Sequence, residues 1–194
     1  MRFLMISKKL IFVFLMTLIG SAYAQELSNG NDLQVSATRE ESRFHIKVSY
    51  LTSRSLCEAF SYLTDYEGAK KIPGIVESKV IQRQGNKVIV ERLIRERILF
   101  FPIELRSTIE YSELPNQGLN FIQTKGDNKS YMGTWRLQED AKGVQVRYES
   151  FIEPDSVIPN AVVEYFISNN IRRRFEIMSD RMEHNQESFS LACK

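Results

Sequence analysis

The chain changes hydrophobic period once, near residue 159, and that change constrains the fold more than any other feature. Before it, apolar side chains recur at every second position in short runs separated by turn residues. After it, Val163, Phe166, Ile167, Asn170, Ile171, Phe175, Met178 and Met182 recur at three- and four-residue steps. Residues 160–189 contain no Gly or Pro. That stretch predicts one helix of roughly 30 residues, about 45 Å long, with Pro159 in its first turn.

The period-two runs are 33–40, 44–51, 75–84, 87–99, 103–113, 119–125, 131–138 and 144–152. In the second, Phe44, Ile46, Val48 and Tyr50 point one way, and His45, Lys47 and Ser49 the other. Gly85-Asn86, the Pro115–Gly118 stretch, the Gly126–Lys129 stretch and residues 140–143 supply short turns. Ser53 reads as the N-cap of a short helix reaching Thr64, with Leu56, Ala59, Phe60 and Leu63 as its apolar stripe. One more turn over 65–71 ends at Pro73-Gly74. Short, evenly spaced turns favour an antiparallel meander over βαβ units. The expected class is α+β: a curved antiparallel sheet of about seven strands wrapped around a long C-terminal helix, with two short helices after the first strands. A sheet that wraps a helix tends to leave a gap, and such gaps are natural apolar ligand cavities.

Residues 1–24 read as a secretory signal peptide. Arg2, Lys8 and Lys9 precede the apolar run 10–19, and Ala22-Tyr23-Ala24 is a small-x-small cleavage site before Gln25. A membrane span needs about 20 apolar residues, so an uncleaved anchor is the weaker reading. Residues 25–32 are polar and read as a flexible tail, leaving 33–194 as one domain. The expected location is periplasmic, with secretion as the alternative. The formal charge of +2 belongs to the leader: without it 23 basic face 24 acidic residues, a balance that gives no reason to expect nucleic acid as a partner.

Motifs for catalysis are missing. The sequence has no nucleophile-elbow, zinc-protease, phosphate-loop or dinucleotide-fold signature. Two Cys and two His leave little for a metal site, and no cofactor or catalytic residue is assigned. His45 lies on the outward face of its strand, and His184 near the helix end, where a cation suits the dipole. Cys57 is read as a helix position or disulfide partner rather than a nucleophile. In the run 88–98, Arg92 and Glu96 interrupt the inward register of Val88, Val90, Ile94 and Ile98. Buried charges are costly unless paired, so the two are candidates for a polar handle on a ligand head group. The alternative is a bulge that turns them outward. Arg172, Arg173 and Arg174 form a basic triplet, read as a solvated helix face or as a transient contact with an anionic membrane surface. Asn128-Lys129-Ser130 is a glycosylation sequon on a turn.

The text FSYLTDYE at 60–67, followed by IPGIVES at 72–78, resembles the opening of the START-like, helix-grip proteins. Phe101-Pro102, Gly133-Thr134-Trp135, Glu153-Pro154-Asp155 and Ile158-Pro159 follow in the same order. The chain is most similar to the polyketide cyclase/dehydrase and lipid-transport group, which includes the coenzyme Q-binding proteins, over about residues 44–182. The resemblance implies a helix-grip fold with an internal apolar cavity and no single activity. Shared register then nominates Tyr50, Phe60, Leu105, Tyr131, Trp135, Tyr148, Val163, Phe166 and Ile167 as its lining, beside Arg92 and Glu96. In such relatives the short helices brace the far end of the long one. That arrangement would bring Cys57 close to Cys193, and export would let them pair. The expected function is binding of an apolar small molecule (lipid, quinone or polyketide-like) as carrier or chaperone. A cyclase/dehydratase-type enzyme using the same cavity is the alternative, disfavoured by the lack of His in the expected pocket.

Overall fold

The computed structural model describes residues 32–98, 101–155, 160–184 and 193. The leader, most of the expected tail and Pro159 lie outside the described residues.

The period-two runs become one antiparallel sheet of eight strands rather than about seven: β1 (Gln34–Glu40), β2 (Arg43–Thr52), β3 (Ile75–Gln84), β4 (Lys87–Ile98), β5 (Phe101–Leu114), β6 (Gly118–Gly126), β7 (Asn128–Asp140) and β8 (Gly143–Pro154). Their spatial order is β1-β2-β8-β7-β6-β5-β4-β3. Each of the eight runs becomes a strand, among them the edge β1. It buries little, yet it pairs with β2 along its whole length, from Gln34 opposite Ser49 to Glu40 opposite Arg43.

Alternation sets the faces. Phe44, Ile46, Val48 and Tyr50 of β2, Val88 and Val90 of β4, and Val144 and Val146 of β8 are buried on the inner face. Gly133 of β7 is the one break in that pattern that matters for the interior. A side chain there would strike the Glu149 carbonyl and the Phe121 ring, so the missing Cβ lets Phe121 lie across β7.

Two helices cover the sheet. The first, α1 (Leu56–Thr64), is capped by Ser55, not by Ser53 as the sequence suggested. Ser55 Oγ accepts from the Glu58 N–H and the Glu58 carboxylate accepts from the Ser55 N–H, a reciprocal capping box. A single 3-10 turn follows over Gly68–Lys71. The second, α2 (Asn160–His184), has 25 residues where roughly 30 were expected. Its described part ends two residues past Met182, the last member of the apolar stripe. Among the described side chains of that stripe, Ile167, Phe175 and Met182 are buried.

Ser53 has a different task. Its N–H and hydroxyl both donate to the Glu183 carboxylate, and Thr52 Oγ1 donates to it at 2.7 Å. Arg54 donates in turn to the Met182 carbonyl at 3.2 Å and to the Glu183 carbonyl. The last turn of α2 is thereby latched to the β2–α1 junction. Beside this latch Cys57 of α1 is joined to Cys193 by a disulfide, with Cα atoms 5.8 Å apart.

Two outcomes test this end of the molecule. The bridge closes a loop of 136 residues, worth about 5 kcal/mol in the chain-entropy picture. Unreduced, denatured protein should show no free thiol, and reduction should lower the melting temperature well beyond ten degrees or unfold the chain. Two free thiols, or an unchanged melt, contradict it. Partial burial works to raise the Glu183 carboxyl, but hydrogen bonds from Ser53 and Thr52 and the Arg54 charge outweigh it and hold the group below the ordinary carboxylate value. A depressed folded-state value means that the stabilisation is present above the unfolded value, about 4.3, and is lost as pH falls through the folded one. Glu183→Gln should therefore cost about 1–2 kcal/mol at neutral pH and lose less stability than wild type between about pH 5 and pH 3 in denaturant titrations. Parallel curves would contradict this role.

Candidate functional site

Between α2 and the concave face lies a cavity of about 290 Å³. It runs to the sheet end where β4 turns into β5, β6 into β7, and β8 leads to α2. Ile94, Ile103, Leu105, Ile152, Ile167 and Ile171 supply much of its apolar wall.

The aromatic end is a continuous stack. Phe121 lies 5.0 Å from Tyr131 and 6.0 Å from Tyr148, centroid to centroid. Tyr148 lies 4.7 Å from Trp135 and 5.1 Å from Phe175 of α2. The Tyr131 and Tyr148 hydroxyls share a hydrogen bond of 3.2 Å. Burial pushes Tyr131 well above the ordinary phenol value, with Tyr148 and Tyr111 adding to the shift and Arg92 opposing it. Burial likewise raises Tyr148. Both are thus O–H donors at physiological pH.

Both charges that interrupt the β4 register face inward. Glu96 lines the cavity and pairs with Arg174 of α2, each side chain about one-fifth exposed. The pair sits directly over Gly74, whose φ of +89° and lack of a Cβ leave room for it. Burial lowers the Arg174 guanidinium from its ordinary value. Arg92 lies further in: its Nε is 3.4 Å from Ser78 Oγ, and its guanidinium carbon 6.0 Å from the Tyr111 ring centroid. Arg92 also borders a smaller hollow of about 90 Å³ under α1 and the 3-10 turn, which shares Ile72, Tyr111, Trp135 and Met178 with the main cavity.

Of the residues nominated from sequence, Arg92, Glu96, Leu105, Tyr131, Trp135, Tyr148 and Ile167 line the cavity. Tyr50 and Phe60 do not. Tyr50 points inward but lies where α2 rests on the sheet, its hydroxyl 3.9 Å from the Met182 sulfur. Phe60 is spent on packing α1 against the core. The side chains of Val163 and Phe166 lie outside the described residues. Arg174 and Phe175 were missed as lining residues. Arg174 was legible in principle, because it stands three residues after Ile171 on the helix stripe, but it was hidden in a triplet read as surface. Arg172 and Arg173 are exposed, as that reading expects.

Other sequence candidates fall away from the cavity. His45 is on the outer sheet face, but it is covered rather than solvated. Its Nε2 is 2.6 Å from Glu149 Oε1, and its ring stacks on Phe151 at 4.2 Å. His184, exposed in the last helical turn, has Nδ1 3.0 Å from Asp180 Oδ1. Asn128 of the sequon is not on an open turn. It begins β7 at the cavity's edge, and its amide donates to Gln123 Oε1 at 3.1 Å. Among the described residues no cluster of His, Cys, Asp or Glu could hold a metal ion.

Trp135, the single tryptophan, is 9% exposed and faces the cavity. An apolar ligand entering it should shift the intrinsic emission. Trp135→Ala should weaken a fluorescent lipid probe roughly two- to tenfold in titration, from the lost aromatic contact. An unchanged affinity would remove Trp135 from the site.

This arrangement has counterparts. No curated protein matches the sequence. Among solved structures, the fold is similar to a STAR-related lipid transfer protein from Xanthomonas axonopodis, at 12% identity and a TM-score of 0.62, over 79% of this chain and 99% of that one. It is also similar to an aromatase/cyclase from a Streptomyces species, at 11% identity and a TM-score of 0.59, over 74% and 98%. A START superfamily protein from Mycobacterium smegmatis matches at 10% identity and a TM-score of 0.59, over 71% and 96%. These likenesses establish the helix-grip fold. The sequence profile described as "Polyketide cyclase / dehydrase and lipid transport" matches residues 52–178, well over half of the chain. The chain therefore belongs to the polyketide cyclase/dehydrase and lipid transport family.

Proposed function

We propose that the chain is an exported carrier or chaperone that binds one apolar small molecule, a lipid, quinone or polyketide-like compound, in the cavity between α2 and the sheet. The carrying observation is the cavity itself: about 290 Å³ walled mainly by aliphatic and aromatic side chains, with a few convergent polar groups. That volume is at the low end of the roughly 300–1,000 Å³ usual for small-molecule sites, which favours a compact or single-chain ligand over a two-chain lipid. Export is supported by the leader-like residues 1–24, with the periplasm as destination and secretion as the alternative. The exposed Arg172 and Arg173 suit a transient contact with an anionic membrane surface during loading.

A cyclase/dehydratase activity is the second reading, favoured by the likeness to an aromatase/cyclase and by the hydroxyl pair in the cavity. The chemistry of the lining weighs against it. Tyr131 and Tyr148 are held protonated, and of the two carboxylates that line the cavity Glu96 is occupied by Arg174 and Asp127, at the rim, accepts the Arg106 N–H.

Native mass spectrometry of protein purified from its own host separates the readings. A single co-purifying apolar molecule, unchanged on incubation, is the expected result. An empty protein that converts an offered polyketide-like substrate would contradict the carrier reading.

A further inference from the structure

Among the described residues four charged side chains line the cavity: Arg92, Arg174, Glu96 and, at its rim, Asp127, whose carboxylate accepts the Arg106 N–H at 2.6 Å. Glu96 and Arg174 neutralise each other over Gly74. Arg92 remains, half-buried, and its contacts are neutral: the Ser78 hydroxyl, which itself donates to the Tyr66 carbonyl at 2.6 Å, and the Tyr111 ring. Among the described residues no carboxylate pairs with Arg92. The nearby acids are otherwise engaged: Asp65 accepts the Gly68 N–H, and Glu113 holds Arg83 and the Tyr66 hydroxyl. Glu77 and Glu91 border a further hollow that Arg92 also lines, beside Lys79, Arg106 and Lys125. A positive charge drawn into an apolar enclosure is costly until an anion meets it.

One further donor faces the same space. In the Tyr131–Tyr148 pair one hydroxyl donates to the other, which leaves one hydrogen for a ligand. Arg92, Tyr131 and Tyr148 line the same cavity, connected through the Tyr111 and Phe121 rings. A guanidinium fork with a phenol beside it matches the two oxygens of a carboxylate. The second polar station, Glu96–Arg174, is four residues along β4, about 13 Å away, and already neutral. Between the two stations the wall is apolar, with Ile94 and Leu105 on the sheet and Ile171 on α2.

From this charge arrangement we propose that the ligand is a monoanionic amphiphile, a carboxylic acid, with its carboxylate on Arg92 and the Tyr131–Tyr148 hydroxyls and its apolar body running toward Glu96–Arg174. The proposal rests on the binding reading above and adds the class of ligand and its direction.

The test uses Trp135 emission at neutral pH to titrate the wild-type protein with decanoic acid and with decanol, which has a similar chain and no charge. The acid should bind at least about tenfold more tightly, the usual scale of a charge-assisted contact. Arg92→Gln should abolish the acid's advantage over the alcohol, while Arg92→Lys should keep part of the preference. Equal affinities in wild type, or a preference that survives Arg92→Gln, overturn the proposal. The wild-type comparison decides even if a variant fails to fold. A bound molecule without an acid group in host-purified protein overturns the proposal alone. No binding of either probe, together with empty native spectra, overturns the carrier reading and this proposal with it.

Discussion

Everything in this structure depends on holding one long helix across a concave sheet without letting it settle into it. A helix with an apolar stripe and a sheet with an apolar face would normally close to native packing density. Here closure happens at one end only. At the C-terminal end of α2, Met182 packs on Tyr50, Glu183 takes three hydrogen bonds from Thr52 and Ser53, and the Cys57–Cys193 bridge ties α1 to the residues beyond the helix. Toward the other end, side chains that would have to interdigitate are kept apart.

Two devices keep them apart. The aromatic stack of Phe121, Tyr131, Tyr148, Trp135 and Phe175 holds its rings against one another, centroids 4.7–5.1 Å apart along the stack, beside the open space. The Glu96–Arg174 pair is a strut between β4 and α2. Its desolvation makes it a poor source of stability, yet breaking it would strand a charge. Such a strut costs stability that a filled core would not. A cavity kept open at that cost is best explained by an occupant, and family membership agrees with a chain built around an apolar ligand.

Much of this was legible in the sequence, and the failures have physical reasons. Alternation assigned the inner faces of β2, β4 and β8 because each strand has one buried face and the side-chain period is two. The same rule put Arg92 and Glu96 inside. It could not separate Tyr50 from Tyr148, since both point inward. What differs is the height of α2 above them, and that is set by the latch at Glu183, a contact between residues 130 positions apart. All eight strands were legible as period-two runs, the edge β1 included, although backbone pairing with β2 rather than burial holds it. Arg174 was lost in its triplet: Arg172 and Arg173 are solvated, and only helical phase, read one residue at a time, distinguishes their neighbour. The Cys57–Cys193 contact followed from the resemblance to helix-grip proteins, because strand and helix periods say nothing about how the two ends of the chain meet.

The most direct measurement is a crystal structure of the protein as isolated from its own host, refined without added ligand. The account predicts continuous non-protein density in the space bounded by Trp135, Leu105 and Ile167, with the Glu96–Arg174 pair intact beside it. Side chains repacked to fill that space, with no density between α2 and the sheet, would contradict it.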